Sequence, residues 1–258
     1  MLTRDAVELF AAAFVASVFG SMVGLGGGFI FVPILRLFLG FAPAEAAGTS
    51  LVLIVANSAS SVATYLWHRR VHLKIGLIVA LGGLPTSVLG AILALHIPPR
   101  LFDWILAAIL VAVAVDMFLN AERRLAGRPE HHHVHRIKGM SYRAAFGLGL
   151  VIGLFSSLFG LGGGIVLVPS LLYFSELPAH AISATSQFAI LLTSPVGLIT
   201  HAVQHDVVFS NAIPLVLGGL LGGPIGARLS LRLKSPQLLI AVAVSLAIAA
   251  VSLIWRHL

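Results

Sequence analysis

The chain has 258 residues, of which 59% are hydrophobic and only 10% are charged, and its mean hydropathy is +1.04. Soluble domains are about 45–50% apolar and about 25% charged, so this composition excludes a soluble globular domain, a disordered chain and a coiled coil. The net charge of +7 is typical of a membrane protein with basic cytoplasmic loops, and the lack of cysteine excludes disulfides and thiol catalysis.

Apolar blocks predict the membrane elements, and charged residues, Pro and Gly divide the sequence into eight of them. They lie at 5–39, 44–67, 73–97, 102–120, 142–175, 178–204, 207–232 and 237–255. About 20 residues of helix cross a bilayer, so six blocks fit one crossing each. The first and fifth blocks, about 35 residues long, exceed one straight crossing and carry glycine clusters near their middles. Because the runs are continuous rather than alternating, we predict an all-α polytopic membrane protein and not a β-barrel.

The two long blocks carry the same motif 136 residues apart. Gly24-Leu25-Gly26-Gly27-Gly28 recurs as Gly160-Leu161-Gly162-Gly163-Gly164, Pro33 recurs as Pro169, and Thr49-Ser50 recurs as Thr185-Ser186. No insertion is needed from Phe19 to Ala91, so we infer a duplication. The predicted domains are an N-terminal repeat at 1–120, a polar cytoplasmic linker at 121–141 and a C-terminal repeat at 142–258.

Basic residues decide between parallel and inverted halves. If each long block turns back on itself, the halves are inverted and twelve of the sixteen Lys and Arg share one side; parallel halves split them eleven to five. We therefore predict two inverted repeats, each with a Gly-broken helical hairpin and three spanning helices. Both chain ends then lie outside.

The glycine clusters are the strongest candidates for a binding site. A run of five residues with four glycines does not form the middle of a stable helix. Backbone groups that lack helical partners at membrane depth must be buried in protein or line a water-filled cavity. Two such breaks in corresponding positions point to a transporter site, and a restarting helix presents free N–H groups to an anion. The alternative is tight helix packing, which small-xxx-small spacing also allows, as at Gly218, Gly222 and Gly226.

These residues resemble the TauE/SafE family of sulfite and organosulfonate exporters. The resemblance rests on the repeated GLGGG-x4-Pro motif and the Thr-Ser pair that follows it, and it covers nearly the whole chain. It implies outward secondary transport of a sulfur oxyanion or small organic anion, without naming the cargo.

Polar residues within the apolar blocks complete the predicted site. Hydroxyl and amide groups bind an oxyanion without adding a fixed charge that would trap it. For any Ser or Thr, bonding to its own helix is the alternative. The expected substrate-binding residues are Gly24, Gly26, Gly27, Gly28, Thr49, Ser50, Asn57, Gly160, Gly162, Gly163, Gly164, Thr185, Ser186, Gln187 and Thr193.

Three ionisable residues are candidates for a charge or proton relay. Arg36 is expected either to attract anions or to snorkel to the outer interface. Asp116 is the one acid placed within the membrane, although it could be solvated near the interface. His201 lies four residues before His205 and so would share a helix face with it. The linker histidines His131, His132, His133 and His135 could hold metal loosely or simply be solvated.

We predict a multi-pass transporter in the cytoplasmic membrane that exports a small anion, sulfite or an organosulfonate. No cofactor, resident metal or nucleic acid is expected; the partners are the anion and the lipid bilayer, with homo-oligomerisation left open. One alternative is a permease for transition metals or other cations. Another is a membrane-embedded enzyme or a non-transporting subunit, although HExxH and GxSxG are both missing.

Overall fold

The computed structural model describes residues 2–125, 141–175, 177–233 and 235–255. These residues form helices and no β-strand, which confirms the all-α prediction. The α-helices are α1 (Leu2–Val23), α2 (Gly28–Leu37), α3 (Pro43–Trp67), α4 (Leu73–Ala94), α5 (Pro99–Leu125), α6 (Tyr142–Phe159), α7 (Gly164–Phe174), α8 (Ala179–Val203), α9 (Ala212–Arg232) and α10 (Ser235–Trp255), with a 3-10 turn at Phe209–Asn211.

Seven of the described helices are long and apolar enough to cross a membrane. They are α1, α3, α4, α5, α6, α8 and the segment Phe209–Arg232. The helices α2 and α7 have only 10 and 11 residues. At 1.5 Å per residue each rises roughly 15 Å, about half of a 30 Å hydrocarbon core. The chain is therefore a multi-pass membrane protein with two half-length helices.

Each long apolar block is broken at its glycines. The φ angles of Gly24, Gly26 and Gly27 are +87°, +84° and +91°. In the second break, Gly160, Gly162 and Gly163 repeat this with +65°, +79° and +75°. Residues with a Cβ are strained at these angles, so glycine allows the chain to double back. A Cβ on Gly20 would clash with the backbone of Gly27, which shows how closely α2 begins beside α1.

The helix packing repeats itself at the same offset. In the first half, α1 and α3 both pack on α9 of the second half. In the second half, the equivalent helices α6 and α8 both pack on α4 of the first half. Two pairs of equivalent helices, α3 with α8 and α5 with α10, also contact each other. Close approach depends on glycine, since a Cβ on Gly222 or Gly226 would collide with α1. The glycines of α9 therefore serve helix packing.

The helices α3 and α8 lie antiparallel. Gly48, near the start of α3, lies against His201 near the end of α8, while Thr185, near the start of α8, accepts a hydrogen bond from the backbone of His72, which follows α3. An inverted arrangement of the halves requires this orientation. How the halves face the two sides of the membrane stays a prediction.

The central polar stretch is only partly described. The helix α5 continues to Leu125, so the first residues of the predicted linker are helical. Residues 126–140, which include His131, His132, His133 and His135, lie outside the described residues.

Candidate functional site

The two glycine breaks meet at Gly26 and Gly162. A Cβ built on Gly26 would lie 3.8 Å from the Cα atom of Gly162. Ile54 and Ile190, which are equivalent positions in the two halves, cover this contact: the same Cβ would lie 3.3 Å from a methyl of Ile54 and 3.6 Å from a methyl of Ile190. The breaks and both isoleucines are buried, so the site is closed in this conformation.

Each short helix begins against the break of the other half. A Cβ on Gly28, the first residue of α2, would clash with the carbonyl oxygen of Gly160, and one on Gly164, the first residue of α7, would clash with that of Gly24. Only glycine permits this approach. The starts of α2 and α7 therefore converge on one place in the molecule.

Side chains of α3 and α8 hydrogen-bond the carbonyls exposed by the breaks. The Ser50 hydroxyl donates to the carbonyl of Gly160 at 2.7 Å, and its equivalent Ser186 donates to that of Gly24, also at 2.7 Å. Both bonds cross from one half to the other. They offset the cost of several kcal/mol that a buried unpaired carbonyl would carry at membrane depth.

Amide side chains extend this capping of the first break. Asn57 donates to the carbonyl of Gly26 and Gln187 donates to that of Gly20, each at 3.0 Å. The hydroxyl of Ser183 donates to the carbonyl of Val23 at 2.8 Å. The negative ends of these backbone dipoles are therefore already occupied by protein donors.

A buried hydroxyl that the sequence analysis overlooked lies beside the start of α7. A Cβ on Gly163, which precedes α7, would lie 3.3 Å from the Cβ atom of Ser156. Ser156 is fully buried, and its Oγ atom has no hydrogen-bond partner among the described residues. The region that combines the two breaks, the starts of α2 and α7, and this hydroxyl is called the break site below.

Three of the expected polar residues do not reach the break site. Thr49 accepts a hydrogen bond from the backbone N–H of Val208 at 3.1 Å, and Thr185 accepts the equivalent bond from His72 at 3.0 Å. Thr193 donates to the carbonyl of Ala189 in its own helix. These threonines fasten connecting segments or bond within α8, whereas Ser50, Asn57, Ser186 and Gln187 touch the breaks.

The sequence profile of the family described as Sulfite exporter TauE/SafE matches residues 9–253. This chain belongs to the TauE/SafE family. The resemblance read from the motifs is confirmed, and the family and its relatives are membrane transporters rather than enzymes.

Relatives align with the TauE/SafE chain over most of both lengths. The probable membrane transporter protein YunE of Bacillus subtilis is 28% identical and covers 97% of each chain. A probable membrane transporter protein of Xylella fastidiosa (strain Temecula1) is 30% identical over 91% of this chain and 89% of its own. MJ0441 of Methanocaldococcus jannaschii, also named a probable membrane transporter protein, is 27% identical over 86% of each chain.

The expectation that Arg36 of this TauE/SafE chain snorkels to the interface is wrong. The residue is 4% exposed, and its guanidinium forms two hydrogen bonds to Asp103, from Nε at 2.8 Å and from Nη2 at 2.6 Å. Its Nη1 donates to the carbonyl of Phe41. An anion could be attracted by this arginine only if the pair opened.

The sequence also gave an incomplete prediction of which acidic residues are buried. Asp103, which sequence reasoning left outside the membrane region, is 1% exposed. Asp116, taken as the membrane-embedded acid, is only partly buried and accepts a hydrogen bond from the Tyr173 hydroxyl. Asp103 falls early in α5, where an acid resembles an ordinary helix start, and nothing in the sequence points to its partner 67 residues away.

His201 is fully buried, but it does not share a helix face with His205. The helix α8 ends at Val203, and His205 has a positive φ of 63° in the turn beyond it. The His201 ring instead lies between the carboxylate of Asp206, 3.4 Å from Nδ1, and the carbonyl of Ser157, 2.9 Å from Nε2. Among the described residues, no group of three or more His, Asp and Glu is arranged to hold a metal ion.

Proposed function

We propose that this TauE/SafE transporter exports a small anion, sulfite or an organosulfonate, and that the anion binds at the break site. The observation that carries the proposal is the convergence of two helix starts on one buried place between the halves. The family description names sulfite as the exported substrate.

The polarity of the break site favours an anion over a cation. A helix start has four N–H groups without intrahelical partners and the positive end of the helix dipole. The carbonyls of Gly160, Gly24, Gly26 and Gly20 accept hydrogen bonds from Ser50, Ser186, Asn57 and Gln187, which makes these four carbonyls less available to a cation. The buried hydroxyl of Ser156 adds a further donor for an anion.

Neutral donors suit a carrier because release matters as much as capture. The buried guanidinium of Arg36 hydrogen-bonds Asp103 and the carbonyl of Phe41. Binding must also open the closed contact. We expect Ile54 and Ile190 to separate when the anion enters, because they cover the meeting point of the breaks.

Flux through purified protein in liposomes tests this function. The panel contains sulfite, a short alkyl sulfonate, sulfate and Ni²⁺, with empty liposomes as the blank. We expect flux of sulfite or the sulfonate above the blank. Flux of Ni²⁺ without flux of any anion would overturn the proposal in favour of the cation permease.

Matched glycine variants locate the site. Gly26→Leu and Gly162→Leu are expected to abolish flux while the protein still inserts, because each adds a side chain at a positive φ inside the break contact. Gly147→Ala in α6 is the control, since a Cβ there meets no atom within 4 Å. Full activity of both leucine variants would place the anion elsewhere.

The overlooked hydroxyl of Ser156 gives a graded test of binding. In Ser156→Ala, we expect KM for the anion to rise about tenfold or more, because hydrogen bonds to charged groups contribute about 1.5–3 kcal/mol. Ser87→Ala is the control, as that buried hydroxyl donates to Gly83 in its own helix. An unchanged KM would remove Ser156 from the site.

A further inference from the structure

We propose that the anion reaches the break site along two polar helix faces, a route that rests on the proposed transport function. The residues of the first path are Ser58, Ser61 and Tyr65 of α3, and those of the second path are Ser194, Gly197 and His201 of α8. All six residues are buried in this conformation, and the two sets are equivalent at the offset of 136. The route is therefore closed at both ends.

Each path begins at an isoleucine that covers the break site. From Ile54 to Tyr65 the positions follow at intervals of four, three and four residues, and the intervals from Ile190 to His201 are the same. This spacing places all the residues of a path on one helix face. Because α3 and α8 lie antiparallel, the two faces lead away from the break site toward opposite ends of the protein.

Small residues on one helix face can serve packing alone, but unpaired hydroxyls distinguish the second path. Ser157 and Ser194 are fully buried, and neither Oγ atom has a hydrogen-bond partner among the described residues. The Ser157 hydroxyl points into the path, since a Cβ on Gly197 would clash with its Oγ atom. A buried hydroxyl without a partner is costly, and water or substrate supplies that partner when the path opens.

The first path has an unpaired polar atom of its own. In the second path, a Cβ on Gly197 would lie 3.3 Å from a methyl of Leu51. The residue equivalent to Leu51 is Gln187, which the repeat is expected to put beside Ser61. The Nε2 atom of Gln187 bonds the carbonyl of Gly20, whereas its buried Oε1 atom has no partner among the described residues.

A large side chain closes each path at the end away from the break site. The Tyr65 hydroxyl donates to the carbonyl of Ser21 in α1 at 2.7 Å, and its ring packs against Ala184 of α8. At the equivalent place, His201 Nε2 lies 2.9 Å from the carbonyl of Ser157 in α6. Each contact joins a long helix to the helix that precedes a break. An anion passes either end only when these partners separate.

Single cysteines test the route, because the chain has no cysteine of its own. Ser61→Cys reports on the first path and Ser194→Cys on the second. The probe is 2-sulfonatoethyl methanethiosulfonate, an impermeant thiol reagent that is itself a small sulfonate, added to intact cells or to inverted vesicles. We expect Ser61→Cys to react from the cytoplasmic side and Ser194→Cys from the outside.

The matched controls are exposed positions of the same helices, Ala63→Cys in α3 and Ile199→Cys in α8. A thiol that faces lipid stays protonated and reacts slowly. Each path cysteine is therefore expected to react about tenfold or more faster than its control.

Variants of the closing residues separate a gate from a general loosening of the fold. Tyr65→Phe keeps the ring but loses the hydroxyl, so Ser61→Cys is expected to react about tenfold faster, as follows from one lost buried hydrogen bond. The rate for Ser194→Cys is expected to stay unchanged in that variant. His201→Leu is expected to do the reverse, with a faster reaction of Ser194→Cys alone.

Two results would overturn the route. One is a reaction of Ser61→Cys and Ser194→Cys no faster than their controls, with Tyr65→Phe and His201→Leu as well as without them. The other is a reaction of both path cysteines from the same side of the membrane.

A cationic reagent separates the route from the cargo. The reagent is 2-(trimethylammonium)ethyl methanethiosulfonate, and each rate is divided by the reagent's rate with a free thiol. If the cation modifies both path cysteines as fast as the sulfonate does, the route stands and the anion proposal fails. Slow modification in a protein that carries sulfite in liposomes would reject the route and leave the proposed function in place.

Discussion

Replacing Arg36 by Leu removes one partner of a buried ion pair and is expected to destabilise the protein strongly. The side chains of Arg36 and Asp103 are 5% and 0% exposed, and two short hydrogen bonds join them. Removal of one partner leaves an uncompensated buried charge, which typically costs about 3–5 kcal/mol. Asp103→Leu should cost about as much, because it strands the guanidinium instead.

The second half of the chain suggests which double variant to make, because it has apolar residues at the equivalent positions. The positions equivalent to Arg36 and Asp103 are Leu172 and Leu239. Replacing a buried pair by apolar residues of similar volume is often neutral or stabilising. We therefore expect the double variant Arg36→Leu with Asp103→Leu to regain most of the unfolding free energy that each single variant loses. A remaining loss of about 1–3 kcal/mol is expected because the Phe41 carbonyl loses its donor.

Thermal unfolding in detergent measures this cycle. For a chain of this length 1 kcal/mol shifts Tm by about 2–4 °C, so each single variant is expected to lose about 6–20 °C. Arg36→Lys keeps the charge but not the paired donors, and an intermediate loss is expected. Single variants that shift Tm by less than about 2 °C, or a double variant that loses the sum of the singles, would refute the reasoning.

Three further predictions concern sidedness, capping and driving force. A cysteine introduced into any of the segments 68–74, 121–141 and 232–236 is expected to resist an impermeant thiol reagent added outside intact cells; labelling within 121–141 would contradict the inverted topology. Ser50→Ala and Ser186→Ala are each expected to cost about 1–3 kcal/mol in unfolding measurements because each strands a break carbonyl; a markedly smaller loss in one would show that the halves do not share this capping. Finally, sulfonate flux is expected to follow a potential imposed by K⁺ and valinomycin at equal pH on both sides, since 100 mV is worth about 2.3 kcal/mol per charge; flux that follows only a pH gradient would contradict potential-driven export.

The sequence predicted the breaks well because their cause is local. A cluster of glycines in an apolar run lowers helix stability wherever it occurs, and its repetition at one offset located both breaks. The same repetition identified Ser50 and Ser186. It did not predict that each serine bonds the break of the opposite half, because that depends on how α3 and α8 pack.

The predictions that were wrong for individual residues have other physical causes. Arg36 was assigned to the interface since a lone arginine in an apolar run lacks a visible partner, and Asp103 becomes its partner only through the packing of α2 and α5. His205 was placed on a helix face because spacing of four residues implies one, but the helix ends two residues earlier. Ser156 escaped notice because its equivalent in the first half is Gly20, so the repeat does not mark it.

We expect the differences between the halves to change the substrate affinity on each side of the membrane rather than the net direction of flux. Arg70 and Asp206 occupy equivalent positions at opposite ends of the α3 and α8 pair, and Arg70 Nη1 lies 3.1 Å from His180 Nε2. For the proposed anion, we expect a cationic side chain at one end and an anionic one at the other to favour capture at the Arg70 end and release at the Asp206 end. The net direction of flux is still fixed by the concentration gradient and the membrane potential, because side chains that remain in the protein add no free energy over a full cycle. What such asymmetry can change is the substrate concentration at which each side half-saturates, and the Arg70 end, predicted to be cytoplasmic, is the one expected to bind more tightly.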